Sequence, residues 1–185
     1  MRSPRLRATL IRLAVLLALL LVAMPSQAQR ATEAELKAAF LLNFAKFTKW
    51  PLDVLAPGAP ITFCVVDHDQ IAAALEAAIP WTRVSGRALS LERRTLNNLL
   101  PPCHVLFVPG LSDHPAATVV ETLKGTTTFT VSDTPAFTRA GGVAYLYIDG
   151  EQVRFAINVQ AAQRARLKIS SRMLGLAKIV KNGPP

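Results

Sequence analysis

Three short apolar runs constrain the fold of this chain more than anything else in it: ITFCVV (Ile61 to Val66), CHVLFV (Cys103 to Val108) and TFTV (Thr128 to Val131). A strand with one wet face alternates polar and apolar residues. An unbroken run rich in β-branched and aromatic residues reads instead as a strand buried on both faces. Helical segments separate the runs. Ile71 to Ile79 (IAAALEAAI) is helical by composition and is broken by Pro80, and Ala116 to Lys124 is stopped by Gly125. Ala88 to Arg93 alternates well enough for a strand exposed on one face, and Leu96 to Leu100 reads as a helical turn. After a loop from Ser132 to Gly142, Val143 to Ile148 and Gln152 to Ile157 flank Asp149-Gly150, the strongest short-range hairpin signal. Asn158 caps a helix over Val159 to Arg166, and Leu167 to Ile169 reads as extended. Ser170 caps a last helix in which Ile169, Met173, Leu176 and Val180 hold helical spacing. Strands alternating with helices, then a hairpin, predict a single α/β domain. Its mixed sheet has helices on both faces and an antiparallel hairpin near the C-terminus.

A further helix is read from Thr32 to Pro51 (TEAELKAAFLLNFAKFTKWP). Thr32 and Glu35 form a capping box, and the residue before Pro51 is pushed away from the α region. Leu36, Phe40, Phe44, Phe47 and Trp50 recur at steps of three or four and share a side. Asn43 falls within that stripe, where a core helix would carry an aliphatic residue. Leu41 and Leu42 point to two further sides, so the helix is apolar around most of its circumference. Either it is a core helix with Asn43 bonded to backbone, or part of the stripe faces a partner chain.

Residues 1 to 28 read as a secretory signal peptide. Arg2, Arg5, Arg7 and Arg12 form a basic region, Leu13 to Met24 is apolar, and Ser26-Gln27-Ala28 places small residues at a cleavage site. Residues 29 to 185 then form the domain. The formal charge of +9 falls to about +5 once the leader's arginines are removed. In an exported protein that modest basicity points to acidic partners and away from nucleic acid. The C-terminal cations Arg164, Arg166, Lys168, Arg172, Lys178 and Lys181 are a solvated face or a contact for an acidic surface.

Cys64 and Cys103 are the two cysteines, and in an exported protein a disulfide between them is the default reading over two buried thiols. No CxxC pair and no Cys/His metal spacing exists, so neither a metal nor a cofactor is expected. Asp67-His68-Asp69, Ser112-Asp113-His114 and Ser132-Asp133 arrive at the carboxyl ends of the predicted strands, where open α/β sheets bind ligands. Asp67, Ser112 and Asp133 are therefore weak candidates for a small-ligand site. Helix capping by Asp67, Asp69, Ser112 and Asp113 is the competing explanation. Gly110 to His114 lacks the second glycine of a nucleophile elbow, and a histidine two residues after the serine is not how triads are supplied. No catalytic residue is assigned, and the chain is not read as an enzyme.

Several stretches resemble the YfiR family. They are KAAFLLNFAKFTKWP (Lys37 to Pro51), Cys64, Cys103 to Phe107, TVSDTPAF (Thr130 to Phe137), Gly141-Gly142 and Val153 to Ala177. The resemblance covers nearly all of the chain after the leader. It implies an exported periplasmic α/β protein that forms dimers and represses an inner-membrane diguanylate cyclase, YfiN, by binding its periplasmic region. An outer-membrane lipoprotein, YfiB, sequesters the repressor. Lowered cyclic di-GMP and reduced biofilm formation would follow, and a sensor histidine kinase is an alternative receptor. On the same resemblance Cys64 and Cys103 are the family's structural disulfide. Asn43, Phe44, Lys46, Phe47 and Trp50, with Phe155, Asn158, Ser170 and Ser171, are its signature positions and candidates for partner contact. Two departures stand out. Ala156 occupies a position where relatives often carry an acid, and a second cysteine pair near the hairpin is missing, which weakens a redox-switch reading.

Overall fold

The computed structural model describes residues 31–99, 102–150 and 152–181. The leader therefore lies outside the described residues. Among the described residues six α-helices and nine strands follow one another. Helix α1 (Glu33–Lys46) starts at the expected capping box. The Thr32 amide donates to Glu35 Oε2 at 2.7 Å, and the Glu35 amide donates to Thr32 Oγ1 at 3.2 Å. The helix stops at Lys46, four residues before Trp50. Thr48 and Lys49 (β1, Thr48–Lys49) leave it to pair antiparallel with β8 (Lys168–Ile169). Trp50 thus lies beyond the helix that the aromatic spacing predicts, because a strand partner rather than Pro51 takes over the backbone bonds. Its indole is still buried, edge-on to His104 with centroids 5.8 Å apart.

Among the described residues the main sheet has seven strands in the order β3-β2-β4-β5-β6-β7-β9, the last being Lys178–Val180. The three unbroken runs supply its centre: β2 (Ile61–Val66), β4 (Val105–Phe107) and β5 (Phe129–Ser132). These pair parallel, with β3 (Leu89–Arg94) at one edge of the sheet. β6 (Ala144–Asp149) joins parallel to β5, and the Asp149-Gly150 turn returns the chain as β7 (Gln152–Asn158), antiparallel to β6. The sheet is mixed, as the alternation predicts.

Helices cover both faces, which is why the central runs carry no polar alternation. On one face Phe63, Val65, Phe107 and Phe129 meet α1 and α2 (Asp69–Ala78). On the other, Cys64, Val66, Leu106 and Val108 meet α3 (Asp113–Thr122) and α4 (Pro135–Arg139). The expected loop from Ser132 to Gly142 contains α4, whose Pro135 is preset for a first helical turn. In the described part of the expected turn at Leu96 to Leu100 the Asn98 amide donates to the Thr95 carbonyl, and Leu100 lies outside the described residues.

The C-terminal segment departs furthest from expectation. α5 (Val159–Arg164) is capped by Asn158 as predicted and ends early, with Arg166 in the left-handed region at φ 59°. α6 (Ser171–Leu174) is a single turn capped by Ser170. The helix predicted to run on to Val180 is instead strand β9 (Lys178–Val180), parallel to β7 through Ala156, Ile157 and Asn158. The edge of β7 offers backbone partners that an isolated helical turn does not, and that long-range pairing outweighs the helical spacing of four apolar side chains.

The disulfide forms between Cys64 and Cys103, whose Cα atoms lie 6.0 Å apart. Cys64 lies opposite Leu106, so the bridge ties β2 to the segment entering β4 rather than joining two strand residues.

Candidate functional site

The candidate residues divide between the strand ends and the outer face of α1. At the strand ends, Asp67 is exposed with φ 44°, and it is His68 that caps α2, Nδ1 accepting from the Ile71 amide at 3.3 Å. Asp69 pairs with Arg93 at 2.7 Å and Asp113 with Arg139 at 2.8 Å. Ser112 occupies the N-cap position of α3 without a side-chain bond to the helix. Of the four residues expected to cap, none makes a side-chain cap bond. A depression beside α2 is lined by Asp67, His68, Asp69 and Arg93 and includes neither Ser112 nor Asp133.

Asp133 is occupied structurally. Its Oδ1 accepts from the Gly110 amide at 2.7 Å and its Oδ2 from Lys37 Nζ at 3.0 Å. Lys37 also reaches Glu33 Oε1 at 2.8 Å and is itself buried. Burial disfavours the charge on each partner, but the bonds outweigh it. Asp133 is held below the usual carboxylate range and Lys37 above the usual lysine value. This pair, which the sequence did not reveal, pins α1 to the strand-end loops.

On α1, Ala38, Leu41, Phe44 and Ala45 enter the core. Phe44 stacks on Phe129 at 5.1 Å and meets the edge of Phe155 at 5.3 Å. Most of the helix's apolar circumference is therefore covered within the chain. Phe40 and Phe47 are only half-buried, and with Phe155 they line an apolar groove of about 150 Å³. Met173 and the 77 % exposed Leu176 form its far wall. The polar groups lining it come from Asn43 and Arg172.

Asn43 is exposed on this groove, and among the described residues its side chain makes no hydrogen bond. The alternative in which it bonds to backbone inside the core is not what the structure shows. Lys46 lies over the Phe47 ring, 5.8 Å from its centroid. Of the other signature positions, Asn158 and Ser170 are structural. Asn158 is fully buried, accepting from the Ala161 amide at 3.0 Å and donating to the Thr138 carbonyl at 3.1 Å. The Ser170 amide donates to the Phe47 carbonyl at 2.9 Å, and Ser170 Oγ accepts from the Met173 amide. Ser171 is exposed in the first turn of α6. The groove thus brings together Asn43, Phe44, Phe47 and Phe155. It leaves Trp50 and Asn158 to the interior. Arg172 was read only as one of the C-terminal cations and Leu176 only as part of a continuous helix, so neither was placed on the groove.

With that geometry in place, a family model described as YfiR/HmsC-like matches residues 34–178. The chain belongs to the YfiR/HmsC-like family. The matched span takes in α1 from its second residue, the disulfide, the whole groove and the first residue of β9. Two solved structures share the fold at low identity. One is the ABC domain from Streptococcus pneumonia in complex with L-Trp, at 14 % identity with a TM-score of 0.52 over 76 % of this chain. The other is a conserved domain protein from Vibrio cholerae O1 biovar El Tor, at 12 % identity with a TM-score of 0.50 over 81 % of this chain. The chain spans 60 % of each, and the likeness is one of fold alone. Among the described residues no helix is long and apolar enough to cross a membrane.

Proposed function

We propose that this family member is a periplasmic regulatory protein, exported by its leader and without catalysis of its own. It binds the periplasmic part of an inner-membrane diguanylate cyclase of the YfiN kind and holds it inactive, lowering cyclic di-GMP and biofilm formation. An outer-membrane lipoprotein of the YfiB kind would relieve the repression by competing for it. The observation that carries this reading is the groove beside α1. A core helix has no use for an unbonded asparagine between two half-exposed phenylalanines, whereas a protein contact uses aromatic anchors beside a polar group that fixes register. Repression needs only that the protein bind the inactive receptor state more tightly than the active one.

Deletion of the gene tests the reading. Cyclic di-GMP, measured by mass spectrometry, should rise several-fold and return to its starting level on complementation. Unchanged cyclic di-GMP in a strain that expresses the protein would overturn the assignment.

A further inference from the structure

The two edges of the seven-stranded sheet are protected differently. β3 carries Glu92, Arg93 and Arg94; Arg93 bridges to Asp69 and Glu76, and Arg94 pairs with Glu92. Such a charged, side-chain-linked edge resists addition of another strand. β9 at the opposite edge is bare by comparison. Among the described residues no strand pairs with its outer side, and Ile179 is 52 % exposed.

Register fixes what each face of that edge offers. Ile179 lies opposite Ile157 in a parallel ladder, so its side chain shares the sheet face of Ile157 and, two residues earlier, Phe155 at the floor of the groove. Lys178 projects to the opposite face. A strand added outside β9 would place alternate residues beside Ile179 on the groove side and beside Lys178 on the other.

Charge then selects the occupant. From Gln152 to the C-terminus the chain carries seven cations and no acidic residue. Arg172, Lys178 and Lys181 have no carboxylate partner among the described residues. Two copies of this edge would bring like charges together, which disfavours a second copy as the occupant. An acidic strand meets complementary charge instead.

We infer that β9 is an acceptor edge for an extended segment of a protein partner in which acidic and apolar residues alternate, the apolar ones lying alongside Ile179 on the sheet face of Phe155. Main-chain bonds supply affinity and the alternating side chains supply selectivity. The inference rests on the proposed regulatory role only for the existence of a protein partner.

The probe is a seven-residue peptide alternating glutamate and isoleucine, added to the mature protein, with hydrogen exchange followed at the amides of 178–180. Expected is saturable, salt-sensitive protection at these amides. It should weaken at least tenfold in Lys178→Glu/Lys181→Glu, with the preference in that variant reversed towards a lysine–isoleucine peptide. No protection at 178–180, equal binding to the charge-reversed variant, or self-association through β9 in the free protein would each overturn it. The assay contains no cyclase, so its failure leaves the deletion experiment standing, and the reverse holds too.

Discussion

At the scale of single residues, the protein separates side chains that hold the fold from those left available. Asp133 belongs to the first kind. Its carboxylate is shared between the Gly110 amide and the buried Lys37 ammonium. Asp133→Ala strands that ammonium with Glu33 alone, and the expected loss is about 2–3 kcal/mol, at or just below the usual cost of breaking a buried pair because one partner remains. Chemical denaturation at neutral pH reads it directly. Because the folded pKa of Asp133 is lowered, its contribution is complete above the ordinary carboxylate value of 3.8 and is lost as pH falls through the folded value.

His104 gives a pH dependence nearer neutrality. Its Nδ1 accepts from the Thr62 amide at 3.0 Å, which requires the neutral ring. Burial lowers its pKa, a bond to the Val54 carbonyl opposes that shift, and the Arg87 charge adds to it. The unfolded imidazole takes up a proton that the folded one refuses. Stability is therefore flat above the ordinary value of 6.5 and declines as pH falls from there towards the folded pKa. Denaturant midpoints at pH 7.5 and 5.5 should differ in the native protein and differ less in His104→Gln.

At the scale of elements, the Cys64–Cys103 bridge closes a loop across a sequence separation of 39 residues. In the chain-entropy model such a bridge contributes about 4 kcal/mol. Replacing both cysteines with alanine should lower the denaturant midpoint accordingly, with the m-value raised if the unfolded chain expands. Gly142 is a second fixed point. A Cβ there would overlap the fully buried ring of Phe137 in the middle of α4. Gly142→Ala should cost about 1–3 kcal/mol as an overpacked site, readable as a fall in melting temperature.

The elements also show what sequence logic can and cannot reach. β2, β4 and β5 were legible because burial on both faces removes polar alternation, a signature that survives any tertiary arrangement. The hairpin was legible from its Asp-Gly turn. Trp50 and β9 were not. Helical spacing is satisfied by any apolar residues three or four apart, so it continued through Phe47 to Trp50 and through Met173 to Val180. In both places the chain turns to a strand partner more than 100 or about 20 residues away, and spacing carries no information about that. The candidate site was half legible. Asn43 stood out as a polar residue in an apolar stripe. The floor and far wall of its groove come from Phe155, Arg172 and Leu176, which only the sheet order brings to it.

For the whole molecule, Phe155 lines the groove beside α1 and shares strand β7 with the residues that pair with β9 at the open edge. An aromatic-walled groove under a basic C-terminal segment is the surface through which we propose the receptor is held. Phe47→Ser removes a half-buried wall and spares the core, so folding should change by less than about 1.5 kcal/mol while repression is lost. The most direct measurement uses detergent-opened inner membranes from the deletion strain, with GTP conversion to cyclic di-GMP followed as purified mature protein is added. The account predicts a saturable, several-fold fall in cyclase activity with the native protein and none with Phe47→Ser. Activity unaffected by the native protein at saturating concentration, in membranes that contain an active cyclase, would contradict it.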